Sequence, residues 1–119
     1  MGVVRGHANP QLQLEGHIAS KTVEYAMTKV ETALHHTPAP VLHVWLRLRK
    51  PARPTVAERP QARVEVDLNG VRVRAGASGT TIREAVDRMQ DRLRAQLARG
   101  SWREQVRRRT GRDRTVRDD

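Results

Sequence analysis

RVEVDLNGVRVRA, residues 63–75, decides the fold. Two alternating runs flank Asn69-Gly70, and a two-residue connection of this type favours a type I′ turn, because both residues tolerate the positive φ that the turn requires. With Leu68 opposite Val71, Val66 faces Val73 and Val64 faces Ala75 on one side of the hairpin. Asp67 then faces Arg72, and Glu65 faces Arg74, on the other. Opposite charges meet across the strands, which favours this register over a one-residue slip.

Upstream, PARPTVAERP (51–60) is too rich in proline to pair and reads as a loop. Before it, VLHVWLRLRK (41–50) alternates as a strand, with Leu42, Val44, Leu46 and Leu48 inward and His43, Trp45, Arg47 and Arg49 outward. QLQLEG (11–16) is a short first strand carrying Leu12 and Leu14 and ending at Gly16. Between these two strands, Val23, Ala26, Met27, Val30, Ala33 and Leu34 recur at helical spacing from Ser20 to the breaker HTPAP (36–40). Downstream of the hairpin, Thr81 and Glu84 have capping-box spacing. Ile82, Ala85, Val86, Met89, Leu93 and Leu97 then form a second helical stripe that stops at Gly100.

The predicted order is β-α-β-β-β-α, an α+β fold. A right-handed crossover makes the first two strands parallel neighbours in a four-stranded mixed sheet, and both helices pack on one face, leaving the other open. The expected domain is 11–99, with an N-terminal extension at 1–10. Residues 100–119, SWREQVRRRTGRDRTVRDD, hold almost nothing to bury, so a frayed helical extension passing into a basic, flexible tail is expected.

A chain of 119 residues with a formal net charge of +10 is one small domain whose first candidate partner is a polyanion. The absence of cysteine excludes disulfides and thiolate zinc sites, and His35 and His36 have no spaced partners, so neither metal nor cofactor is expected. No run is long and apolar enough for a membrane, and MGVVRGHANP lacks the apolar block of a secretory signal, which points to the cytoplasm. Catalysis is not expected, because there is no phosphate-cradling glycine loop and no nucleophile with a base. Glu84, Asp87 and Asp91 intersperse with Arg83, Arg88 and Arg94 as helical charge pairs.

The basic residues fall into three groups. Arg88, Arg92 and Arg99 share one flank of the second helix; Lys21, Tyr25 and Lys29 share a flank of the first. Arg47, Arg49, Arg63, Arg72 and Arg74 lie on the open sheet face, partly neutralised by Glu65 and Asp67, and Arg103 continues the series into the tail. Trp45 sits in the sheet group with two readings open. It stacks on an unpaired base while arginines hold phosphates, or it packs on the stems of Arg47, Arg63 or Arg74.

The stretch TTIREAVDRMQDRLRAQL (80–97) resembles the signature of the ribosome hibernation-promoting factor or protein Y family, A-[IV]-D-x-x-x-x-[KR]-L-x-x-Q-L. The matching positions are Ala85, Val86, Asp87, Arg92, Leu93, Gln96 and Leu97. VEYAMTKVE (23–31) is similar to that family's R-E-Y-x-x-x-K-L-E, and LEGH (14–17) sits where its first strand ends; Ala19-Ser20 and Val23 depart from its pattern. The resemblance implies the same fold and a non-catalytic, ribosome-associated protein. It implies binding to the small ribosomal subunit and its 16S-type rRNA, in the channel of messenger and of A-site and P-site transfer RNA, through the basic residues above. Translation by idle ribosomes would be inhibited in stress or stationary phase, with no small-molecule substrate.

The tail shows no second strand pattern, so this chain alone is not expected to join ribosomes into dimers. A double-stranded RNA-binding domain shares the α-β-β-β-α core order, but its lysine-rich helix start and Gly-Pro-x-His loop are missing, and a KH module would need a GxxG loop. A basic module that binds an acidic protein remains open.

Overall fold

The computed structural model describes residues 10–35, 37, 39–99 and 102. Its elements are β1 (Gln11–Glu15), α1 (Ser20–Leu34), β2 (Val41–Arg49), β3 (Gln61–Leu68), β4 (Val71–Ser78) and α2 (Ile82–Arg99). The strands form one sheet in the order β1-β2-β3-β4, with β1 parallel to β2 and the other pairs antiparallel.

The hairpin is the predicted one. Leu68 pairs with Val71, Val66 with Val73 and Val64 with Ala75, and the turn places Asn69 at φ 55° and Gly70 at φ 98°. The charges use the register differently from the expectation. Asp67 turns back to accept a hydrogen bond from the Gly70 N–H at 2.7 Å, and Glu65 takes both arginines, Arg72 at 2.9 Å and Arg74 at 2.9 Å.

β2 departs from strict alternation at its start. Val41 pairs with Leu68 and His43 with Asp67, so Leu42 is the extra residue of a bulge. Val41 is buried, whereas Leu42 is 45% exposed, the reverse of its expected inward position. From Val44 onward the expected alternation holds: Val44, Leu46 and Leu48 are buried, with Trp45, Arg47 and Arg49 on the other side.

The core lies between sheet and helices. Leu46, Leu48, Val64, Val66 and Leu68 meet Ala85, Val86, Met89 and Leu93 of α2 and Ala26, Val30 and Leu34 of α1. Gln90 is the one polar side chain buried among the described residues, and its amide donates to the Lys29 carbonyl at 3.1 Å, which ties α2 to α1. α2 lies across β3 and β4 and α1 packs against α2. β1 receives little cover, and Leu12 and Leu14 remain 42% and 44% exposed.

α2 starts with a variant of the predicted capping box. The Thr81 hydroxyl accepts from the Glu84 N–H at 3.0 Å, but the Glu84 carboxylate reaches one residue further back, to the Thr80 N–H at 2.6 Å and the Thr80 hydroxyl at 2.8 Å. The hydrogen bonds from Thr80, with the nearby Arg88 and Arg59 charges, hold the Glu84 carboxyl below its ordinary value of 4.5. At its other end the domain reaches past Arg99. Trp102, expected to lie in a solvated tail, is buried in the core cluster and donates its indole N–H to the Leu97 carbonyl at 2.8 Å. A large ring that satisfies both its apolar body and its one donor fixes the end of the helix layer.

Two outcomes follow. Replacing Trp102 with alanine should lower unfolding stability by about 3 kcal/mol, in the range for deleting a buried aromatic ring; chemical denaturation followed by circular dichroism reads this, and an unchanged midpoint would place the ring outside the core. Because the Glu84 pKa is depressed on folding, its contribution is present above the unfolded value of 4.5 and is lost as pH falls through that value toward the folded one. Glu84→Gln should therefore be less stable than the parent at pH 7 and should lose less stability on acidification, as measured by melting temperature against pH.

Candidate nucleic-acid interface

Tyr25 and Lys29, one turn apart on α1, face Asp87 of α2. The Tyr25 hydroxyl donates to Asp87 Oδ1 at 2.5 Å, and Lys29 Nζ lies 3.6 Å from the same oxygen. Lys29 and Arg83 also approach the Tyr25 ring, at 5.2 and 4.3 Å from its centroid. These contacts clamp the outer surface of the helix pair. Of the α1 group only Lys21 stands exposed without a described ion pair.

The α2 group divides. Arg88 donates to the Ser78 carbonyl at 3.1 Å, Arg92 to the Gly76 carbonyl at 2.6 Å, and Gln96 to the Arg74 carbonyl at 3.3 Å. Four helical residues advance about 6 Å and two strand residues about 6.7 Å, so donors four apart on α2 match acceptors two apart on β4. Residues 74, 76 and 78 have the parity whose backbone groups point away from β3. The side chains therefore cover carbonyls along the free edge of β4, an edge that would otherwise invite pairing with another chain.

The sequence puts Arg88, Arg92 and Arg99 together on one basic flank of the second helix. Arg88 and Arg92 serve β4, and Arg88 also pairs with Glu84 at 3.2 Å. Arg99 is exposed with no described partner, and Arg103 lies outside the described residues.

On the open sheet face the register sets two rows, Gln11–Trp45–Glu65–Arg74 and Gln13–Arg47–Arg63–Gly76. Glu15 receives Arg47 at 2.7 Å and Arg49 at 3.3 Å, and its carboxyl is held below the ordinary value, first by the hydrogen bond and charge of Arg47 and then by Arg49. Arg49 also reaches Glu58 at 3.3 Å. Arg47, Arg49, Arg72 and Arg74 are thus all matched to carboxylates, and the face is less basic than its arginines suggested. Arg63 is exposed and has no described carboxylate.

Trp45 is half-buried. The His43 ring stacks on it, with centroids 5.2 Å apart and planes 23° apart, and the Arg72 guanidinium lies 5.0 Å from its centroid. The arginine on the ring is Arg72, whose strand is separated from β2 by β3, and not Arg47, Arg63 or Arg74. An open groove of about 730 Å³ crosses this face, with Trp45, Arg47, Arg63 and Arg74 along its walls.

Lys50, at the end of the expected second strand and just past β2 in the structure, and Arg53, in the proline-rich loop, are further exposed cations without described ion pairs. The signal of Arg53 was present as charge in a proline-rich stretch, but a loop has no periodicity to say which way it faces. Among the described residues no group of three or more His, Cys, Asp or Glu is placed to hold a metal ion, and no helix is long and apolar enough to cross a membrane.

The four-stranded mixed sheet with two helices over one face defines an α+β domain class that recurs in solved structures. Searches with family models and against curated proteins find no match. The N-terminal domain of Protein Y from Thermus thermophilus superposes with a TM-score of 0.62 at 20% identity, over 78% of this chain and 97% of that one. A ribosomal subunit interface protein from Coxiella burnetii superposes with a TM-score of 0.55 at 17% identity, over 76% and 93%. This chain has their fold, which is the fold that the signature resemblance implied.

The α2–β4 contacts carry a prediction. Arg88→Ala combined with Arg92→Ala should cost about 2 kcal/mol of stability, near 1 kcal/mol for each exposed side chain-to-carbonyl bond, and should raise the tendency to self-associate through the uncovered edge. Thermal melting and light scattering check both effects, and an unchanged melting temperature would return the two arginines to the solvent.

Proposed function

We propose that the chain is a ribosome-associated factor of the hibernation type, which binds the small ribosomal subunit in the channel of messenger and transfer RNA and holds idle ribosomes inactive. The observation that carries this reading is the agreement between signature and fold. All seven signature positions of α2 have structural contacts: Ala85, Val86, Leu93 and Leu97 are buried, Asp87 receives Tyr25, and Arg92 and Gln96 hold β4. A chance match in sequence would not have placed every position in a contact that builds the domain shared with Protein Y and a subunit interface protein.

The chemistry is binding and not catalysis. A net charge of +10 suits the phosphate backbone of 16S-type rRNA, and the exposed cations Lys21, Lys50, Arg53, Arg63 and Arg99, together with Arg47, Arg49, Arg72 and Arg74 of the sheet face, are the groups available for it. Location is cytoplasmic, on the ribosome.

Co-sedimentation with separated subunits tests the reading. The protein should travel with small subunits, dissociate steeply as salt rises, and inhibit translation in a purified system. Recovery with large subunits alone, or unimpeded translation at saturating protein, would refute it. Binding to small subunits that is insensitive to salt would point to a protein contact in place of rRNA.

A further inference from the structure

The open sheet face contains an arrangement that the fold itself does not need. Arg47 and Arg63 are direct cross-strand partners, and like charges directly opposite on an antiparallel pair destabilise it. Arg47 is relieved by Glu15 on its β1 side. Arg63 has no such relief, because Glu65, the nearest carboxylate on its own strand and face, is already held by Arg72 and Arg74. Its stem is also placed: its neighbour on β4 is Gly76, and a Cβ added there would come within 3.1 Å of Arg63 Cγ. Glu65 also lines this groove, but with its carboxylate taken by Arg72 and Arg74, an exposed guanidinium opposite another and with no described carboxylate of its own is a site short of one anion.

Trp45 lies one pleat repeat away, facing the same groove. His43 and Arg72 pack on it but do not line the groove, whereas the half-buried ring itself does. Gln11 and Gln13 bring uncharged amides into the groove from β1, with no described partners, and they offer both donors and acceptors. An anion, a planar ring and hydrogen-bonding edges on one side of the sheet are the components of a nucleotide.

We propose that this groove holds one unpaired nucleotide of a single-stranded RNA segment, its base stacked against Trp45, its phosphate on Arg63 and Arg47, and its base edge within reach of Gln11 and Gln13. The inference rests on the ribosomal reading only for RNA as the source of the nucleotide. An acidic peptide would satisfy Arg63 but would leave the ring and the amides without partners.

The test uses the full chain and fluorescein-labelled hexaadenylate, read by anisotropy, with the tryptophan emission followed in parallel. Trp102 is buried, so quenching reports Trp45. Saturable binding with quenching is expected, weakening as salt rises. An abasic oligonucleotide of equal length should bind about tenfold more weakly, the magnitude of one stacked base. Trp45→Leu should lose about tenfold for hexaadenylate and nothing further for the abasic strand; Arg63→Gln should weaken both.

Equal binding of the base-bearing and abasic strands by the parent, binding unaffected by Arg63→Gln, or displacement by polyglutamate as effective as by unlabelled hexaadenylate would each overturn the proposal. Small-subunit co-sedimentation separates the two readings. If Trp45→Leu binds subunits as well as the parent does and hexaadenylate is not bound, the groove fails and the ribosomal reading stands. If hexaadenylate binds as described but no subunit does, the ribosomal reading fails and the groove stands.

Discussion

A two-residue turn with both residues at positive φ determines which side of the sheet every later residue faces. Asn69 and Gly70 lock Leu68 against Val71, and because side chains alternate at period two, a slip by one position would either turn Val64 and Val66 of β3 to solvent with Glu65 brought inward, or bring Arg72 and Arg74 of β4 into the core. The correct register puts apolar side chains of β3 and β4 under α2. It also aims alternate carbonyls of β4 outward, where Arg88, Arg92 and Gln96 meet them. Packing and edge protection both depend on that turn.

This explains what the α2 signature encodes. Its apolar positions fill the core, its aspartate joins the two helices through Tyr25, and its arginine and glutamine close the β4 edge. The motif specifies a domain. Exposed or half-buried groups that these contacts leave over lie outside it: Arg63 and Trp45 on the sheet, Lys21 at the start of α1, and Lys50 and Arg53 in the loop after β2. A surface can vary in this way while the scaffold keeps its pattern.

Much of the fold was legible, because alternation and helical spacing report directly on burial, and Asn-Gly reports on the turn. The sequence did not disclose the bulge at Leu42, since one extra residue leaves the local pattern intact and is visible only through the partner strand. Trp102 was hidden by the charges around it, as composition averages away a single buried ring. The contacts of Arg88 and Arg92 with β4 were not legible for a different reason: a helical wheel gives the direction of a side chain but not what lies within reach of its end. For Trp45, the outward face of the ring was legible and its contact with Arg72 was not, because that contact crosses an intervening strand. The chain's +10 charge likewise said nothing about local pairing: Glu15, Glu58 and Glu65 pair with four of the five arginines of the sheet face and leave Arg63 without a described carboxylate.

The central claim is a division of labour among arginines: Arg88 and Arg92 of α2 hold the fold, and Arg63 and Arg47 of the open sheet face are proposed to hold RNA. Arginine-selective modification with phenylglyoxal, resolved by mass spectrometry for the free protein and for the protein on small subunits, tests it most directly. The account predicts that Arg63 reacts readily in the free protein and is shielded on the subunit, while Arg88 and Arg92 react slowly in both states. Fast reaction at Arg88 and Arg92 in the free protein, with protection appearing there and not at Arg63 on binding, would contradict it.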